Sequence, residues 1–218
     1  EYVVMEVSSH ALDQKRVWDL EFECAMFTNL TQDHLDYHIT MQNYFEAKLR
    51  LFKMCKTAVI NLDDEYSKAF IDACDCKVLT YSTKDKNADF FADNIEYKAD
   101  GVSYDFINNE NKQRVDVKIP GSFTVYNSMT AGAGMIACGM DFNTAAKFIS
   151  EVEGVKGRVE VVPSDKDFTM IIDYAHTPDE LENVIKMLNN IKTGRVVTLF
   201  GCGGDRDKTK RPIMGNIA

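Results

Sequence analysis

The stretch that most constrains the fold is Phe27-Thr28-Asn29-Leu30-Thr31-Gln32-Asp33-His34-Leu35-Asp36-Tyr37-His38, which places two Asp, two His, two Thr and an Asn within twelve residues. It lies between two apolar segments, Cys24-Ala25-Met26-Phe27 and Tyr44-Phe45. A polar run this dense cannot be a core strand, because each buried donor, acceptor or charge would need a partner. Placed directly after a short apolar strand, it fits the carboxyl end of a parallel sheet, where open α/β proteins bind their ligands. The sequence therefore predicts an α/β fold.

A helix over residues 41–52 follows, in which Phe45, Leu49 and Phe52 recur at helical spacing and Tyr44 stands one turn before Lys48. Lys48 is flanked by the apolar stripe and not centred on the wet face. A lysine in partly apolar surroundings has a lowered pKa and reacts as the free amine. One outcome is a carbamate, formed with carbon dioxide, which turns a cation into a carboxylate-like group able to hold Mg2+. The plainer reading is a lysine that snorkels to water.

Toward the amino end, residues 2–7 read as a strand ending in Glu6-Val7-Ser8-Ser9-His10, with Ser9 available to cap a helix that begins near Ala11. From residue 57 to 119 the pattern turns to short strands, 58–60, 77–81 and the alternating 115–119, separated by polar loops. Asn61-Leu62-Asp63-Asp64 closes the first of these with turn chemistry and leads into a helix near Glu65. Asp93, Asn94, Glu96 and the Gly101 region read as an antiparallel edge, and the whole section as scaffold. Residues 120–127 lead into a small-residue helix over 128–140, whose Ala and Gly positions allow close packing. Asp141-Phe142-Asn143-Thr144 restarts a helix, and the glycines of Glu153-Gly154-Val155-Lys156-Gly157-Arg158 mark a domain boundary, giving domains 1–156 and 157–218.

In the second part, residues 168–173 read as a buried strand ending in Asp173, and Thr177-Pro178-Asp179-Glu180 is a complete helix start with capping box. A strand over 195–200 would complete a right-handed parallel unit. Its ligand face would be residues 173–176 together with 201–208. An Asp after a strand can bond ribose hydroxyls, and Tyr174 or His176 can lie against adenine. Gly201-Cys202-Gly203-Gly204 by itself is a weak phosphate-loop signal, since it lacks the full G-x-G-x-x-G spacing.

The net charge of −9 argues against a general nucleic-acid binder. No apolar run is long enough to span a bilayer. Six cysteines scattered at 24, 55, 74, 76, 138 and 202 form no regular framework and fit reduced thiols in a cytoplasmic protein. Cys74-Asp75-Cys76 has no second Cys or His pair near it in sequence, which argues against zinc.

Several motifs together resemble the Mur ligase family: Met5-Glu6-Val7-Ser8-Ser9-His10, then Gln14 and Arg16, Phe27-Thr28-Asn29-Leu30-Thr31, Asp33-His34-Leu35-Asp36-Tyr37-His38 and Tyr44-Phe45-Glu46-Ala47-Lys48. Asp173-Tyr174-Ala175-His176-Thr177-Pro178 and Phe200-Gly201-Cys202-Gly203-Gly204-Asp205-Arg206-Asp207-Lys208 continue the likeness in the same order, with a looser middle from about residue 57 to 121. The resemblance implies a central ATP-binding domain, with a parallel sheet plus a small antiparallel sheet, followed by the start of a Rossmann-like α/β C-terminal domain. The family's phosphate loop, G-x-x-x-x-G-K-[ST], is missing from the chain and belongs upstream of Glu1, so a fragment is expected.

The resemblance further implies an ATP-dependent amide ligase of peptidoglycan precursor synthesis. It would add a diamino acid, meso-diaminopimelate or L-lysine, to UDP-N-acetylmuramoyl-L-alanyl-D-glutamate through an acyl phosphate. Glu6, His34 and a carbamylated Lys48 would hold Mg2+, with Asp33, Asp36 and His38 as weaker candidates suited to loop and cap hydrogen bonds. Ser8, Gln14, Arg16 and Arg206 would contact substrate, and Lys208 would lie near the reacting phosphate. Asn127, Arg158, Asp173 and His176 would contact ATP, and Arg158 would offset charge developing in phosphoryl transfer. Thr124 stands where the family has Asn, and Met129 and Gly132 where it is Ala-rich. The rival readings are a folylpolyglutamate or cyanophycin synthetase-like ligase, or a non-catalytic nucleotide-binding module of the same fold.

Overall fold

The structure, a computed structural model, describes residues 2–31, 33–98, 100–109, 111–203 and 208–218, with Asp36 through its backbone. A short helix α1 (Ser9–Asp13) precedes strand β1 (Phe22–Phe27), after which come α2 (Leu35–His38), α3 (Met41–Phe52) and β2 (Cys55–Asn61). Then follow α4 (Ser67–Asp72), β3 (Lys77–Ser82), β4 (Phe90–Lys98), β5 (Gly101–Asn108) and β6 (Asn111–Val117). Helices α5 (Ser122–Ala137) and α6 (Phe142–Ser150) lead to β7 (Glu160–Val162), β8 (Met170–Ile172), α7 (Pro178–Ile191) and α8 (Lys210–Ile217).

Strands β1 to β6 form one sheet in sequence order, parallel from β1 to β4 and antiparallel from β4 to β6. Successive parallel strands need a connection that returns the chain to its starting edge. Helices α2 and α3 supply it between β1 and β2, and α4 between β2 and β3. Strand β4 begins beside the end of β3, pairing Phe90 with Tyr81, so a loop without a helix suffices.

Because side chains alternate along a strand, β2 feeds two cores. Ala58 and Ile60 join Phe27, Phe45, Phe52 and Phe70 beneath α3 and α4. Val59 joins Tyr81, Phe90, Phe106, Val125, Met129 and Ile149 beneath α5 and α6. The small residues of α5 do allow close approach: a Cβ on Gly132 would lie 2.7 Å from Ile149 Cδ1 and 3.1 Å from Phe106 Cζ.

Several local expectations are corrected. Residues 2–7 join no strand, and Tyr2, Val3 and Val4 are exposed, because β1 pairs with β2 alone among the described residues. Helix α5 starts at Ser122, six residues earlier than its small-residue segment. The β-branched and aromatic residues at its start have modest helix propensity, but burial of Thr124 and Val125 and a bond from Thr124 Oγ1 to the Pro120 carbonyl (3.2 Å) override it. Strand β5 is flanked on both sides, so the Gly101 region is no edge. Residues 168–173 are not a buried strand: β8 is short, pairs antiparallel with β7, and exposes Met170 and Ile172. Residues 195–200 form no strand and Leu199 is almost wholly exposed, so the predicted parallel unit is absent among the described residues. An apolar run holds a strand conformation only where a neighbour completes its ladder, and this one has none. Among the described residues no helix is long and apolar enough to cross a membrane.

The ring of Phe70 lies 4.1 Å from Phe27, 4.9 Å from Phe45 and 5.0 Å from Phe52, so it ties α3 and α4 to the sheet. Phe70→Ala is expected to destabilise the full-length protein by about 3–5 kcal/mol, measured by urea denaturation.

Candidate functional site

Strand β1 ends at Phe27, and the polar loop after it is fixed by the neighbouring strand. Asn61 Nδ2 donates to the Thr28 carbonyl (2.8 Å), and Leu30 N–H donates to Asp64 Oδ2 (3.0 Å). Asp33 accepts from the His34 amide (2.8 Å) and lies 3.3 Å from His34 Nε2. His34 has φ +55°, a left-handed conformation that histidine adopts more readily than most residues. Thr40 then caps α3 by accepting from Asn43 N–H (3.1 Å), which fixes the rotation of that helix.

That rotation sets Lys48 Nζ over the Tyr44 ring at 5.3 Å from its centroid. The His34 ring meets Tyr44 edge-on at 5.9 Å. Burial of its half-buried amine holds the Lys48 pKa below the ordinary lysine value, while the charges of Glu6 and Asp33 pull it part of the way back. His34 and Lys48 therefore meet at Tyr44, Asp33 acts on both Tyr44 and Lys48, and Glu6 reaches Lys48 through its charge alone. Asp33, a weaker candidate by sequence, lines the cleft and acts on Lys48, and Tyr44, an apolar neighbour by sequence, carries the Lys48 amine on its ring.

Among the described residues no three His, Cys, Asp or Glu side chains could hold a metal between them. Mg2+ is commonly held by one or two carboxylates with waters and substrate phosphates as its other ligands. Glu6, Asp33 and His34 offer donors of that chemistry but do not converge closely enough to hold the ion by themselves. Lys48 fits only as a carbamate, because an ammonium donates and cannot ligate.

Lys48, Asp33, Thr28, Asn29 and Thr31 line a cleft of about 1370 Å³. Asn127 and Tyr126 of α5, Arg158, Asp173 and the α7 residues Asp179, Glu180 and Asn183 line the same cleft. Arg158 lies over the Tyr174 ring at 4.7 Å, an arrangement that favours the guanidinium. Asp173 accepts from Val159 N–H (2.8 Å) and Ala175 N–H (2.7 Å), so its carboxylate shapes the local backbone. His176 is exposed, its Nδ1 3.1 Å from the Tyr174 carbonyl oxygen and 3.3 Å from Glu180 Oε2.

Among the described residues Glu6, Ser8, Gln14, Arg16, His34, His176 and Lys208 do not line this cleft. Ser8, and not Ser9, caps α1, accepting from Ala11 N–H (3.1 Å), while buried Ser9 bonds His38 Nε2 (2.9 Å). Gln14 Oε1 accepts from Arg16 Nε (3.0 Å) and Nη2 (2.5 Å), both side chains being exposed. Lys208 is exposed ahead of α8, its carbonyl accepting from Arg211 N–H (3.3 Å). Arg206 and the side chain of Asp36 lie outside the described residues.

A largely apolar cleft beyond the end of β1, carrying a few polar groups and a desolvated lysine, is the layout of a ligand-binding α/β protein. Residues 1–135 match the family profile described as the Mur ligase middle domain, and residues 157–218 that described as the Mur ligase glutamate ligase domain. The chain belongs to the Mur ligase family. It is 46% identical, over 100% of its length, to the UDP-N-acetylmuramoyl-L-alanyl-D-glutamate--2,6-diaminopimelate ligase of Synechocystis sp., and spans 44% of that protein. A solved structure of a ligase with the same name is 36% identical, with a TM-score of 0.76 over 97% of this chain and 45% of that one. A folylpolyglutamate synthase from Mycobacterium tuberculosis, 19% identical, shares the fold at a TM-score of 0.61 over 77% of this chain and 39% of that one.

The capping box at the start of α7 holds residues 173–177 against the cleft. Thr177 Oγ1 accepts from Glu180 N–H (3.3 Å), and Glu180 Oε2 accepts from the amides of Thr177 (3.1 Å) and His176 (2.9 Å). Burial pushes the Glu180 carboxyl up, but the His176 and Thr177 bonds outweigh it and hold it below its ordinary value. Its contribution is complete above the unfolded pKa of about 4.3 and is lost as pH falls through the lower folded value. Thr177→Ala is expected to cost about 1 kcal/mol and to speed hydrogen exchange at the Glu180 amide, read by denaturation and mass spectrometry.

Proposed function

We propose that this chain is the ATP-handling core of a ligase that joins 2,6-diaminopimelate to UDP-N-acetylmuramoyl-L-alanyl-D-glutamate in peptidoglycan precursor synthesis. The observation that carries the reading is one cleft lined by Lys48 and Asp33 together with Arg158 and Asp173. The printed name of the 46%-identical Synechocystis relative supports the choice of substrates over a folate acceptor. The domains divide at 156/157, with residues 1–156 as the ATPase unit and 157–218 as the start of the amino-acid-adding unit. The six free cysteines suit a cytoplasmic enzyme.

In this reading ATP gives its terminal phosphoryl group to the free carboxylate of the D-glutamyl residue, and ADP leaves. The diamino acid's amine then attacks the acyl carbon, and phosphate departs as the amide bond forms. Asn127 meets the adenine, and Asp173 and His176 border the nucleotide. Arg158, held over Tyr174, presents a fixed positive charge where the transferring group gains negative charge. Ser8, Gln14 and Arg16 bind the muramoyl peptide, with Arg206 at the incoming amino acid and Lys208 at the reacting phosphate. Bound Mg2+ would be held by Glu6, His34 and carbamylated Lys48, and would supply charge neutralisation for the phosphates. Lys48 reaches the carbamate because its desolvated amine is more often neutral than that of an exposed lysine.

The test is amino-acid-dependent phosphate release by the full-length protein with ATP and the UDP-muramoyl dipeptide. Release with diaminopimelate and little with L-lysine is expected. Release that requires a folate and glutamate instead would overturn the reading. Lys48→Ala should lower kcat by about 10²–10³-fold, and a carbamate signal after labelling with ¹³C-bicarbonate should vanish in Lys48→Arg.

A further inference from the structure

The turn Asn61-Leu62-Asp63-Asp64 closes β2, and its three polar side chains share one pattern. Each uses part of its bonding capacity to build the turn or the adjoining strand end and part to reach a wall of the cleft. Asn61 Oδ1 accepts from Asp63 N–H (3.0 Å), while its Nδ2 donates to the Thr28 carbonyl (2.8 Å). Asp64 Oδ1 accepts from Tyr66 N–H (2.9 Å), while its Oδ2 accepts from Leu30 N–H (3.0 Å). Asp63 accepts from Ser82 Oγ (2.5 Å), Thr83 N–H (2.9 Å) and Thr83 Oγ1 (2.8 Å) at the end of β3, and from the Tyr126 hydroxyl (2.9 Å) on α5.

The reach to α5 is reinforced one turn along that helix. Thr130 Oγ1 donates to the Tyr81 hydroxyl (2.6 Å), which in turn donates to the carbonyl of Phe27 (3.2 Å), the last residue of β1. Burial raises the Asp63 pKa, but the Ser82, Thr83 and Tyr126 bonds hold it below its ordinary value, so the acceptor is an anion at neutral pH. A simple turn needs only the local bonds. Three contacts from Asn61, Asp63 and Asp64, two to the 28–31 loop and one to α5, exceed that requirement.

We propose that residues 61–64 are the positioning element of the cleft, with Asn61 and Asp64 setting the 28–31 loop and Asp63 setting α5 through Tyr126. Tyr126 immediately precedes Asn127, which projects into the cleft, so loss of the Asp63 bond lets the first two turns of α5 shift. These are positioning residues that act through Thr28, Leu30 and Tyr126. The inference rests on the nucleotide reading of the cleft for its kinetic consequence and on the hydrogen bonds alone for its structural one.

The test compares Tyr126→Phe and Asp63→Asn with the unmodified full-length protein. Tyr126→Phe deletes one hydroxyl and keeps the ring, so it folds even where Asp63→Asn fails. The expected result is a rise in KM for ATP of about 3- to 10-fold, with kcat changed less and the thermal midpoint nearly constant. Hydrogen exchange in the ligand-free protein should quicken at amides 122–128 and stay unchanged across β5 and β6. A lower thermal midpoint with unaltered KM, or no change in either, would show an ordinary structural turn and overturn the proposal. If the unmodified protein releases no phosphate from ATP, the ligase reading has failed, and exchange decides alone: faster exchange confined to 122–128 supports the positioning role, and unchanged exchange defeats it.

Discussion

The burial of β2 on both faces is the constraint on which the rest of the molecule depends. Thr57 to Asn61 are all buried, with Ala58 and Ile60 packed beneath one helical layer and Val59 beneath the other. A slip of one residue would exchange the two sets and put large side chains where small ones fit. The register with β1 and β3 is therefore fixed, and with it the level at which all three strands end. The ligand cleft lies just beyond that level, and its walls inherit their positions from the hydrophobic packing.

Electrostatics in the cleft run against the average for the chain. The protein carries a net charge of −9, yet Lys48 and Arg158 both line the cleft. Lys48 is half-buried and Arg158 exposed, but each is held on an aromatic ring. Lys48 sits over Tyr44 between the fields of Glu6 and Asp33, and Arg158 lies on Tyr174. A cation held on an aromatic face loses little orientational freedom when an anion arrives, so less of the binding energy goes into ordering it.

The second unit is built on local bonds more than on a core. Strands β7 and β8 are short, and Leu181, Met187, Met214 and Val159 are its few buried apolar residues. Val159 has φ +48°, a costly conformation for a β-branched residue. The bond from its amide to Asp173 and the burial of its side chain offset that cost, and they place Arg158 beside Tyr174. Asp173 therefore shapes the wall whether or not it also meets a ligand.

What the sequence determined by itself was local in origin. The α3 stripe, the Thr177 capping box and the small-residue segment of α5 depend on residues within a turn or two of one another, so their spacing is visible in the chain. The polar run after Phe27 was likewise legible, because so many donors and charges have one physical solution at a strand end. The partners were not legible. That the charge of Asp33 acts on Lys48, that Asp63 grips Tyr126 sixty-three residues away, and that residues 2–7 and 195–200 join no strand among the described residues depend on which strands and helices meet in space. A hydrogen bond of that range leaves no periodicity for the sequence to display, and an apolar run becomes a strand only where the tertiary structure supplies its neighbour.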